Sequence, residues 1–288
     1  MTDMEREAIT KLISNAFEED LGDGDHTSLA TIPSSAKGKV ELLAKDYGIV
    51  AGVEVASMVF KQLDANLNVV IFIRDGSSIA PGDRILTVEG SSQSLLSAER
   101  TALNFIQRMS GIATFTHKVC DLIKDLDTKL LDTRKTTPYN RVVEKLAVRI
   151  GGGTNHRFGL YDMIMIKDNH VDFAGGIENA ISSTNSYLKE KGKKLKVEIE
   201  VRDFDELNEV INLGGVDRIM LDNFSPDNLK KAVDLIDRKF ETEASGGITM
   251  SNIRQYAETG VDFISVGALT HQISSLDLSL KTIITYDN

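Results

Sequence analysis

Apolar and polar residues alternate with two different rhythms along the chain, and the change falls near the middle. In the first part, apolar positions spaced three and four residues apart predict helices at residues 4–20, 53–63 and 94–126. Short apolar runs between glycine and proline turns predict strands at residues 40–44, 69–73 and 84–88. The long third helix is expected to break near Gly111. This part is therefore predicted to be an α+β unit.

The second part repeats a strand and a helix several times. Its apolar runs predict strands at residues 129–132, 163–167, 196–201, 217–222, 240–245 and 262–267. Intervening helices are predicted, for example, at residues 233–238 and 251–258. Such alternation is typical of a parallel sheet, and six units suggest a barrel of the (β/α) type that is somewhat shorter than the usual length of about 250 residues. The fold class is α/β, with predicted domains at 1–110 and 111–270 and a tail, 271–288, packing on the first.

Charge is distributed unevenly along the chain. The 288 residues carry a formal net charge of −10, yet residues 134–167 contain seven lysines and arginines and only two acids. A local cationic cluster in an acidic protein favours a small anionic ligand over a polymeric one. An acidic protein with a pI near 5.1 is also not expected to bind nucleic acid in general.

Several other classes are not expected. No apolar run approaches the roughly 20 residues of a membrane span. The N-terminal segment is charged and has no apolar signal core, and the single Cys120 gives neither an intrachain disulfide nor a cysteine metal site. We therefore expect a cytoplasmic protein with no membrane or nucleic-acid partner.

Polar residues recur where the predicted strands of the second part end. In a (β/α) barrel all these ends open on one face, where the site is built. The residues concerned are Asp132, Arg134, Lys135, Lys167, Glu198, Glu200, Asp222, Ser245, Gly246, Gly247 and Gly267. The last glycines lie in turns predicted to lead into helices, where backbone N–H groups bind phosphate. The pattern predicts a phosphate site beside a cationic pocket, with acids available for hydroxyl groups or a metal ion.

Eight segments together carry a resemblance to a known family over nearly the whole chain. In this sequence they are the segments 19–28, 48–52, 99–104, 132–136 (Asp-Thr-Arg-Lys-Thr), 156–160 (His-Arg-Phe-Gly-Leu), 166–170, 221–224 and 243–248. No single segment is decisive, but their order and spacing are specific. The chain resembles the quinolinate phosphoribosyltransferases, also called nicotinate-nucleotide pyrophosphorylases (carboxylating).

The resemblance implies a fold, a reaction and an assembly. The fold is an N-terminal α/β sandwich followed by an open α/β barrel. The reaction joins quinolinate to 5-phosphoribosyl-1-pyrophosphate (PRPP) with Mg²⁺, and it yields nicotinate mononucleotide, pyrophosphate and CO₂ in NAD biosynthesis. The assembly is a homodimer in which each site receives an arginine from the neighbouring subunit.

The resemblance also implies roles for individual residues. Arg134, His156 and Arg157 would hold the quinolinate carboxylates, and Arg100 would enter from the other subunit. Lys135 and Lys167 would neutralise PRPP or the anionic groups of the ring. Glu200 and Asp222 would face the ribose hydroxyls and Mg²⁺, and these two with the two lysines are the expected catalytic residues. Ser245, Gly246, Gly247 and Gly267 would bind the 5′-phosphate, and Thr133 and Val266 would be further substrate-binding residues.

Some alternatives stay open on the sequence alone. Glu198 and Glu200 point the same way on one strand, and Glu200 is preferred because it lies nearer the strand end. His170 is as consistent with a helix-start role as with ligand contact. A phosphoribosyltransferase acting on nicotinate or another aromatic acid is the near alternative. Such a substrate has a single carboxylate, which would need fewer cations than the sequence offers. A non-catalytic phosphate-ligand binding protein is the distant alternative.

Overall fold

The secondary structure was examined in a computed structural model that describes residues 1–283. Its helices are α1 (Asp3–Leu21), α2 (His26–Thr31), α3 (Val53–Leu63), α4 (Ser92–Asp121), α5 (Arg141–Ile150), α6 (Asp168–Ala174), α7 (Ile177–Lys191), α8 (Phe204–Leu213), α9 (Pro226–Ile236), α10 (Ile253–Ala257) and α11 (Ala268–His271). Its strands are β1 (Lys37–Ala44), β2 (Gly48–Ile49), β3 (Asn68–Ile71), β4 (Ser78–Ile79), β5 (Arg84–Ser91), β6 (Lys129–Leu131), β7 (Ile164–Ile166), β8 (Val197–Val201), β9 (Arg218–Asp222), β10 (Glu241–Ser245), β11 (Phe263–Ser265) and β12 (Leu278–Thr282). Within these residues no helix is both long enough and apolar enough to cross a membrane.

The chain forms two compact units. Among the described residues, the first contains residues 1–117, 136–152 and 269–283, and the second contains residues 118–135 and 153–268. The predicted domain limits at residues 110 and 270 stay a prediction. Residues 284–288 of the predicted C-terminal tail lie outside the described residues.

The first unit is built around a four-stranded sheet in the order β12-β1-β5-β3. All its pairs are antiparallel, and β12 pairs with β1 along Val40–Ala44. Apolar side chains of the helices, such as Ile9, Phe60 and Ile106, are fully buried in this unit. The predicted α+β character of this part is confirmed.

Helix α4 differs from its prediction. It runs without interruption through Gly111, so the expected break there is wrong. A Cβ atom at Gly111 would lie 2.3 Å from the carbonyl oxygen of Ser274, which belongs to the same unit. The glycine is therefore needed for a close backbone approach and does not end the helix.

The second unit is a six-stranded sheet in the order β6-β11-β10-β9-β8-β7, and every pair is parallel. Because β6 and β7 lie at the two ends of this order, the strands form an open sheet, and the predicted α/β class is confirmed. Each strand lies within two residues of its predicted limits. The predicted helix at residues 233–238 is wrong, since α9 starts at Pro226 after the cap Ser225 and ends where Asp237 adopts a left-handed conformation.

The strands of this sheet alternate in chemistry although both their faces are buried. On β8, Val197, Ile199 and Val201 occupy one face and the two glutamates the other. The register aligns Glu198 with Arg218. Arg218 Nη1 also donates to Glu243 Oε2 at 3.1 Å, so one face of the sheet carries charged side chains from β8, β9 and β10.

Candidate active site

The carboxyl ends of the six parallel strands bring most of the predicted residues to one edge of the second unit. Parallel strands present their carboxyl ends at the same edge, so the strand order fixes which residues are neighbours. Along the sheet the order is Arg134 and Lys135 after β6, Val266 and Gly267 after β11, Ser245 to Gly247 at β10, Asp222 at β9, Glu200 on β8 and Lys167 after β7. We call this edge the carboxyl edge.

Two arginines lie close together at the β6 end of the carboxyl edge. The pKa of Arg157 lies below its ordinary value because the side chain is partly buried and because the positive charge of Arg134 repels it. Arg157 donates a hydrogen bond from Nη1 to the carbonyl oxygen of Met163 at 3.3 Å, which helps to hold the guanidinium group in place. Two neighbouring guanidinium groups disfavour each other unless an anion lies between them, so this pair is suited to carboxylate binding.

The turn after β6 is ordered by its own side chains. The backbone N–H of Lys135 donates to Thr133 Oγ1 at 3.0 Å, while the side chains of Arg134 and Lys135 are exposed. Lys135 is also close enough to Asp222 to lower the pKa of that carboxyl group. Cations from β6 and acids from β9 therefore share one surface.

Acids and a lysine meet at the β7–β9 end of the edge. Lys167 Nζ lies 3.6 Å from Glu200 Oε2. Burial raises the pKa of Glu200 and of Asp222, and Lys167 opposes both shifts. Asp222 and Asp168 raise the pKa of Glu200 further by repulsion. A nearby cation stabilises the ionised form of these carboxylates, and carboxylate oxygen is the ligand type that Mg²⁺ prefers.

The glycine turn after β10 is held by Asn223. Gly246 and Gly247 both have positive φ angles, of 97° and 63°. The backbone N–H of Asn223 donates to the Ser245 carbonyl at 2.8 Å, and its side-chain amide donates to Asp222 Oδ2 at 2.6 Å. The next element after this turn is α10, which begins at Ile253, and α11 follows Gly267 at once. Backbone N–H groups of such glycine turns are suited to binding an anion.

His156 lies deeper in the second unit than the other predicted residues. Its side chain is 4% exposed, and Nε2 lies 3.1 Å from Glu198 Oε2 and 3.3 Å from Glu243 Oε2. Its Nδ1 accepts a hydrogen bond from the Arg157 backbone N–H at 2.6 Å. Burial lowers the pKa of His156, but the two carboxylates outweigh it and raise the pKa to about 9. The two carboxylates therefore favour a proton on Nε2, whereas the Arg157 N–H faces Nδ1.

Sequence reasoning missed Glu243 and Arg218 beside His156, and it kept Glu198 only as the alternative to Glu200. Glu198 and Glu243 are fully buried, and Arg218 Nη1 donates to Glu243 Oε2 at 3.1 Å. Burial, followed by repulsion from Glu243, raises the pKa of Glu198 to about 7. His156 and Arg218 lower the pKa of Glu243 against the effect of its burial. The sequence pattern that could have indicated them is the presence of charged residues at alternate positions of otherwise apolar strands.

The predictions for His170 and Arg100 have different outcomes. His170 Nδ1 accepts a hydrogen bond from the Lys167 backbone N–H at 2.9 Å, which is a helix-start role at α6. Arg100 is exposed on α4 of the first unit, whereas the other predicted residues belong to the second unit. The partner-subunit role of Arg100 stays a prediction.

The opposite edge of the sheet also carries many charges, but they neutralise one another. A depression of about 950 Å³ there is lined by Lys196, Asp217, Glu241 and Asp262 among others. Lys196 Nζ lies 3.1 Å from Glu241 Oε1, and Arg218 Nη2 lies 3.0 Å from Glu241 Oε2. Paired charges of this kind stabilise the barrel bottom and do not call for an anion, so the carboxyl edge is the better candidate site.

An α+β unit combined with an open parallel sheet, whose carboxyl edge joins arginines, acids and glycine turns, defines an α/β protein with a built anion-binding site. Comparison with known proteins identifies its family. The model of the quinolinate phosphoribosyl transferase N-terminal domain matches residues 25–110, and that of the C-terminal domain matches residues 112–281. The chain belongs to the quinolinate phosphoribosyltransferase family.

Individual relatives agree with this assignment over most of their length. The chloroplastic nicotinate-nucleotide pyrophosphorylase (carboxylating) of Oryza sativa subsp. japonica is 45% identical, with 94% of this chain and 76% of that protein covered. A probable enzyme of the same name from Bacillus subtilis (strain 168) is 41% identical, with 97% and 95% covered. The structure of the nicotinate-nucleotide pyrophosphorylase from Francisella tularensis superimposes with a TM-score of 0.89 at 40% identity, with 96% of each chain covered.

Proposed function

We propose that the chain transfers the phosphoribosyl group of PRPP to quinolinate and releases CO₂ and pyrophosphate, forming nicotinate mononucleotide. The observation that carries this proposal is the pair Arg134 and Arg157, which repel each other at one end of an edge whose other end is acidic. A planar dicarboxylate fits between two guanidinium forks. A sugar with a polyphosphate fits an edge that offers lysines, acids and glycine turns. Names of the relatives, which describe this chemistry, give further support.

Quinolinate is assigned to the β6 end of the edge. Arg134 and Arg157 bind its carboxylates, because the guanidinium group matches a carboxylate with two parallel hydrogen bonds. Partial burial of Arg157 lowers the local dielectric constant and strengthens this interaction. Binding in this way fixes the pyridine ring so that its nitrogen faces the sugar.

PRPP is assigned to the remainder of the edge. Lys135 and Lys167 neutralise its phosphate groups, and the turn Ser245–Gly247 with Gly267 binds the 5′-phosphate through backbone N–H groups. Thr133 and Val266 border the same surface, since Val266 donates its N–H to the Leu131 carbonyl at 3.0 Å. Glu200 and Asp222 then accept hydrogen bonds from the ribose hydroxyl groups.

Mg²⁺ fits the acidic end of the edge. Glu200 and Asp222 offer carboxylate oxygens whose pKa values are raised by burial, so that a cation beside them is favourable. We propose that these two residues hold the ion together with the pyrophosphate of PRPP. When bound, Mg²⁺ supplies positive charge to the departing pyrophosphate.

The protein acts mainly by positioning and by electrostatic stabilisation. The ring nitrogen of quinolinate forms a bond to C1 of the ribose while the bond from C1 to the pyrophosphate oxygen breaks. Positive charge develops on the sugar, next to the acids Glu200 and Asp222, and negative charge develops on the leaving group, next to the lysines. The bond between the ring and the adjacent carboxylate then breaks and CO₂ leaves. Its electron pair stays on the ring carbon, where the neighbouring positively charged nitrogen stabilises it, and this carbon takes up a proton from water. No covalent nucleophile is required.

The deciding assay measures release of radiolabelled CO₂ from carboxyl-labelled quinolinate with PRPP and Mg²⁺. We expect label release and nicotinate mononucleotide in equal amounts. Formation of nicotinate mononucleotide from nicotinate, without label release from quinolinate, would establish the near alternative instead. Binding of PRPP without any turnover of either acid would establish the non-catalytic one.

A matched pair of variants tests the assigned end of the edge. Arg134→Ala should weaken quinolinate binding by about 2–5 kcal/mol, because a desolvated carboxylate loses its partner. Lys129→Ala removes an exposed cation from the other end of the same strand and should leave binding unchanged. Calorimetric titration with quinolinate measures both, and equal affinities for the two variants would refute the assignment.

A homodimer with a shared site and a cytoplasmic location are also proposed. If Arg100 serves the neighbouring subunit, inactive Arg100→Ala and inactive Lys167→Ala chains should regain part of the activity when mixed into hybrid dimers. Hybrids that form and stay inactive would place Arg100 in the site of its own chain. Light scattering measures the assembly state directly.

A further inference from the structure

A fully buried acid of the first unit, Glu144 in α5, has no part in the reaction proposed above. Its Oε1 accepts a hydrogen bond from Arg108 Nη2 at 3.0 Å, and its Oε2 accepts one from the backbone N–H of Thr137 at 3.2 Å. A carboxylate buried away from water is unfavourable unless donors surround it. Both oxygen atoms of Glu144 face donors, so this side chain is a fixed point to which the chain at Thr137 is bonded.

The bond to Thr137 holds the segment that follows the cations of β6. Thr137 lies three residues after Arg134 and two after Lys135. The backbone N–H of Asn140 donates to the Thr137 carbonyl at 3.1 Å, so the segment also forms a turn of its own. Holding Thr137 therefore restricts the positions that the chain can take directly after the two cations.

The guanidinium group of Arg108 bonds a second segment of the same kind. Its Nη2 donates to the backbone carbonyl of Thr270 at 2.7 Å. Thr270 lies three residues after Gly267, which is assigned to the 5′-phosphate. The strands that precede the two segments, β6 and β11, are parallel neighbours in the sheet. A single arginine is thus linked to the chain after each of two adjacent strands.

We infer that Glu144 and Arg108 are positioning residues for the substrate-binding segments after β6 and β11. Glu144 fixes the chain after Arg134 and Lys135. Arg108 fixes the chain after Gly267 and also holds Glu144 in place. Both residues act through the backbone and not on a reacting atom. The inference rests on the proposed function, from which the roles of the three binding residues are taken.

The expected effect is large enough to measure. A displacement of about 1 Å in a group that binds the substrate can cost up to about a hundredfold in rate. Loss of positioning should appear in the KM values, because the displaced residues hold the substrates. A purely structural ion pair behaves differently. Its loss lowers the amount of folded enzyme, which reduces the apparent kcat and leaves KM unchanged.

A matched pair of arginine variants separates the two cases. Arg108→Met removes both hydrogen bonds of the guanidinium group and retains much of the side-chain volume. Arg149→Met is the control, because Arg149 of α5 pairs with Glu5 of α1 at 2.6 Å and joins two helices through their side chains. We expect the KM values for quinolinate and PRPP to rise about tenfold in Arg108→Met and to stay within about twofold in Arg149→Met. Unchanged KM values in Arg108→Met, or equal increases in both variants, would overturn the inference.

Two further variants test the separate links. Arg108→Lys keeps a cation with several donors, and it should restore most of both KM values. In the double variant Arg108→Met/Glu144→Gln, the amide oxygen still accepts from Thr137 and no buried charge is left without a partner. The KM for quinolinate should then recover, whereas the KM for PRPP should stay raised because the bond to Thr270 is still absent. Recovery of both KM values, or of neither, would contradict the two links. Wild-type enzyme that fails to convert quinolinate refutes the proposed function instead.

Hydrogen exchange of the wild-type protein covers the case in which the variants do not fold. The amide of Thr137 can be followed by NMR on protein labelled with ¹⁵N-threonine. We expect it to exchange at least about tenfold more slowly than an amide without a hydrogen bond, because its acceptor is a buried carboxylate. Exchange as fast as that of an unbonded amide would overturn the inference.

Discussion

Replacement of Arg218 by methionine should be among the most destabilising single changes in the second unit. Arg218 Nη1 donates to the fully buried Glu243 at 3.1 Å, and its guanidinium carbon lies 3.9 Å from the centre of the Phe263 ring. Methionine retains much of the volume of the side chain but removes its charge. The variant therefore leaves a buried carboxylate without its arginine, which costs about 3–5 kcal/mol. This is a large share of the roughly 5–15 kcal/mol by which proteins of this kind are stable.

Lys196→Met is the matched control. Lys196 pairs with Glu241 at 3.1 Å, and Arg218 contacts the same carboxylate, but Lys196 and Glu241 are 58% and 37% exposed. Solvent screens a pair of this kind, so its loss should cost about 0–1 kcal/mol. Burial, and not the presence of an ion pair as such, should therefore decide the difference between the two variants.

Urea unfolding measures the free energy of unfolding of each variant. Because the chain contains no tryptophan, circular dichroism is the suitable signal. The double variant Arg218→Met/Glu243→Gln should recover part of the loss, with a coupling of about 1–3 kcal/mol between the two sites. If Arg218→Met costs no more than Lys196→Met, or if the two changes simply add, the reasoning from the buried charge is refuted.

The pH dependence of the same variant gives a second check. In the wild type, His156 and Arg218 hold the pKa of Glu243 below its ordinary value of 4.5, despite burial, so this group stabilises the fold above that value. Arg218 is one of the groups that lower the pKa of Glu243, so this pKa should rise in the variant. The stabilising contribution of Glu243 is then lost at a higher pH in the variant than in the wild type. The difference in stability between wild type and variant should therefore be largest at neutral pH and should change as the pH falls through the raised pKa.

Three further predictions concern the backbone and the metal. Gly111→Ala should lower the free energy of unfolding by about 1–3 kcal/mol, measured by urea unfolding, because the new Cβ lies 2.3 Å from the Ser274 carbonyl oxygen; an unchanged midpoint would contradict this packing. Gly246→Ala should lower the free energy of unfolding by about 1–3 kcal/mol, because the φ of 97° and a Cβ at 2.2 Å from Asn223 Oδ1 are both unfavourable. The same variant should raise the KM for PRPP. An unchanged KM would argue against phosphate binding by this turn. Burial raises the pKa of Asp222, so activity in a pH–rate profile should begin to fall at a pH above the ordinary pKa of an aspartate. About tenfold more Mg²⁺ should shift this acid-side fall in activity to lower pH by up to about one unit. A fall in activity that does not shift with Mg²⁺ would count against Asp222 as a metal ligand.

The strands of the second unit were predictable because each is a short apolar run that ends at a polar residue. Every one of the six lies within two residues of its predicted limits, and the open parallel sheet follows from their alternation with helices. The helix limits were harder to predict. Gly111 carries the usual signal of a break, yet its role is set by Ser274, which is far away in the chain.

The buried cluster was not predictable for a related reason. The sheet order places β11 beside β6 and β10 beside β11, and His156 contacts Glu243 of β10. Sequence spacing contains no information on that order. Glu198 and Glu200 looked equivalent on one strand, but the register places the first beside Arg218 and leaves the second beside Lys167.

The two glutamates show that a single face of the sheet carries structural residues at one level and binding residues at another. Because side chains alternate, each strand offers a buried member and, two residues further on, a member at the carboxyl edge. On β8 these are Glu198 and Glu200, and on β10 they are Glu243 and Ser245. The protein compensates its buried acids with its own groups, above all Arg218.

At the edge the balance is different, since the arginines there repel each other. A substrate with two carboxylates therefore balances the charge of the arginines at the edge, whereas the acids of the layer beneath face His156 and Arg218. Packed, buried side chains under a charged edge also keep the cations in position before the substrate arrives, which lowers the cost of binding. For this reason a change in the buried layer should appear first in stability, and a change at the edge first in quinolinate affinity.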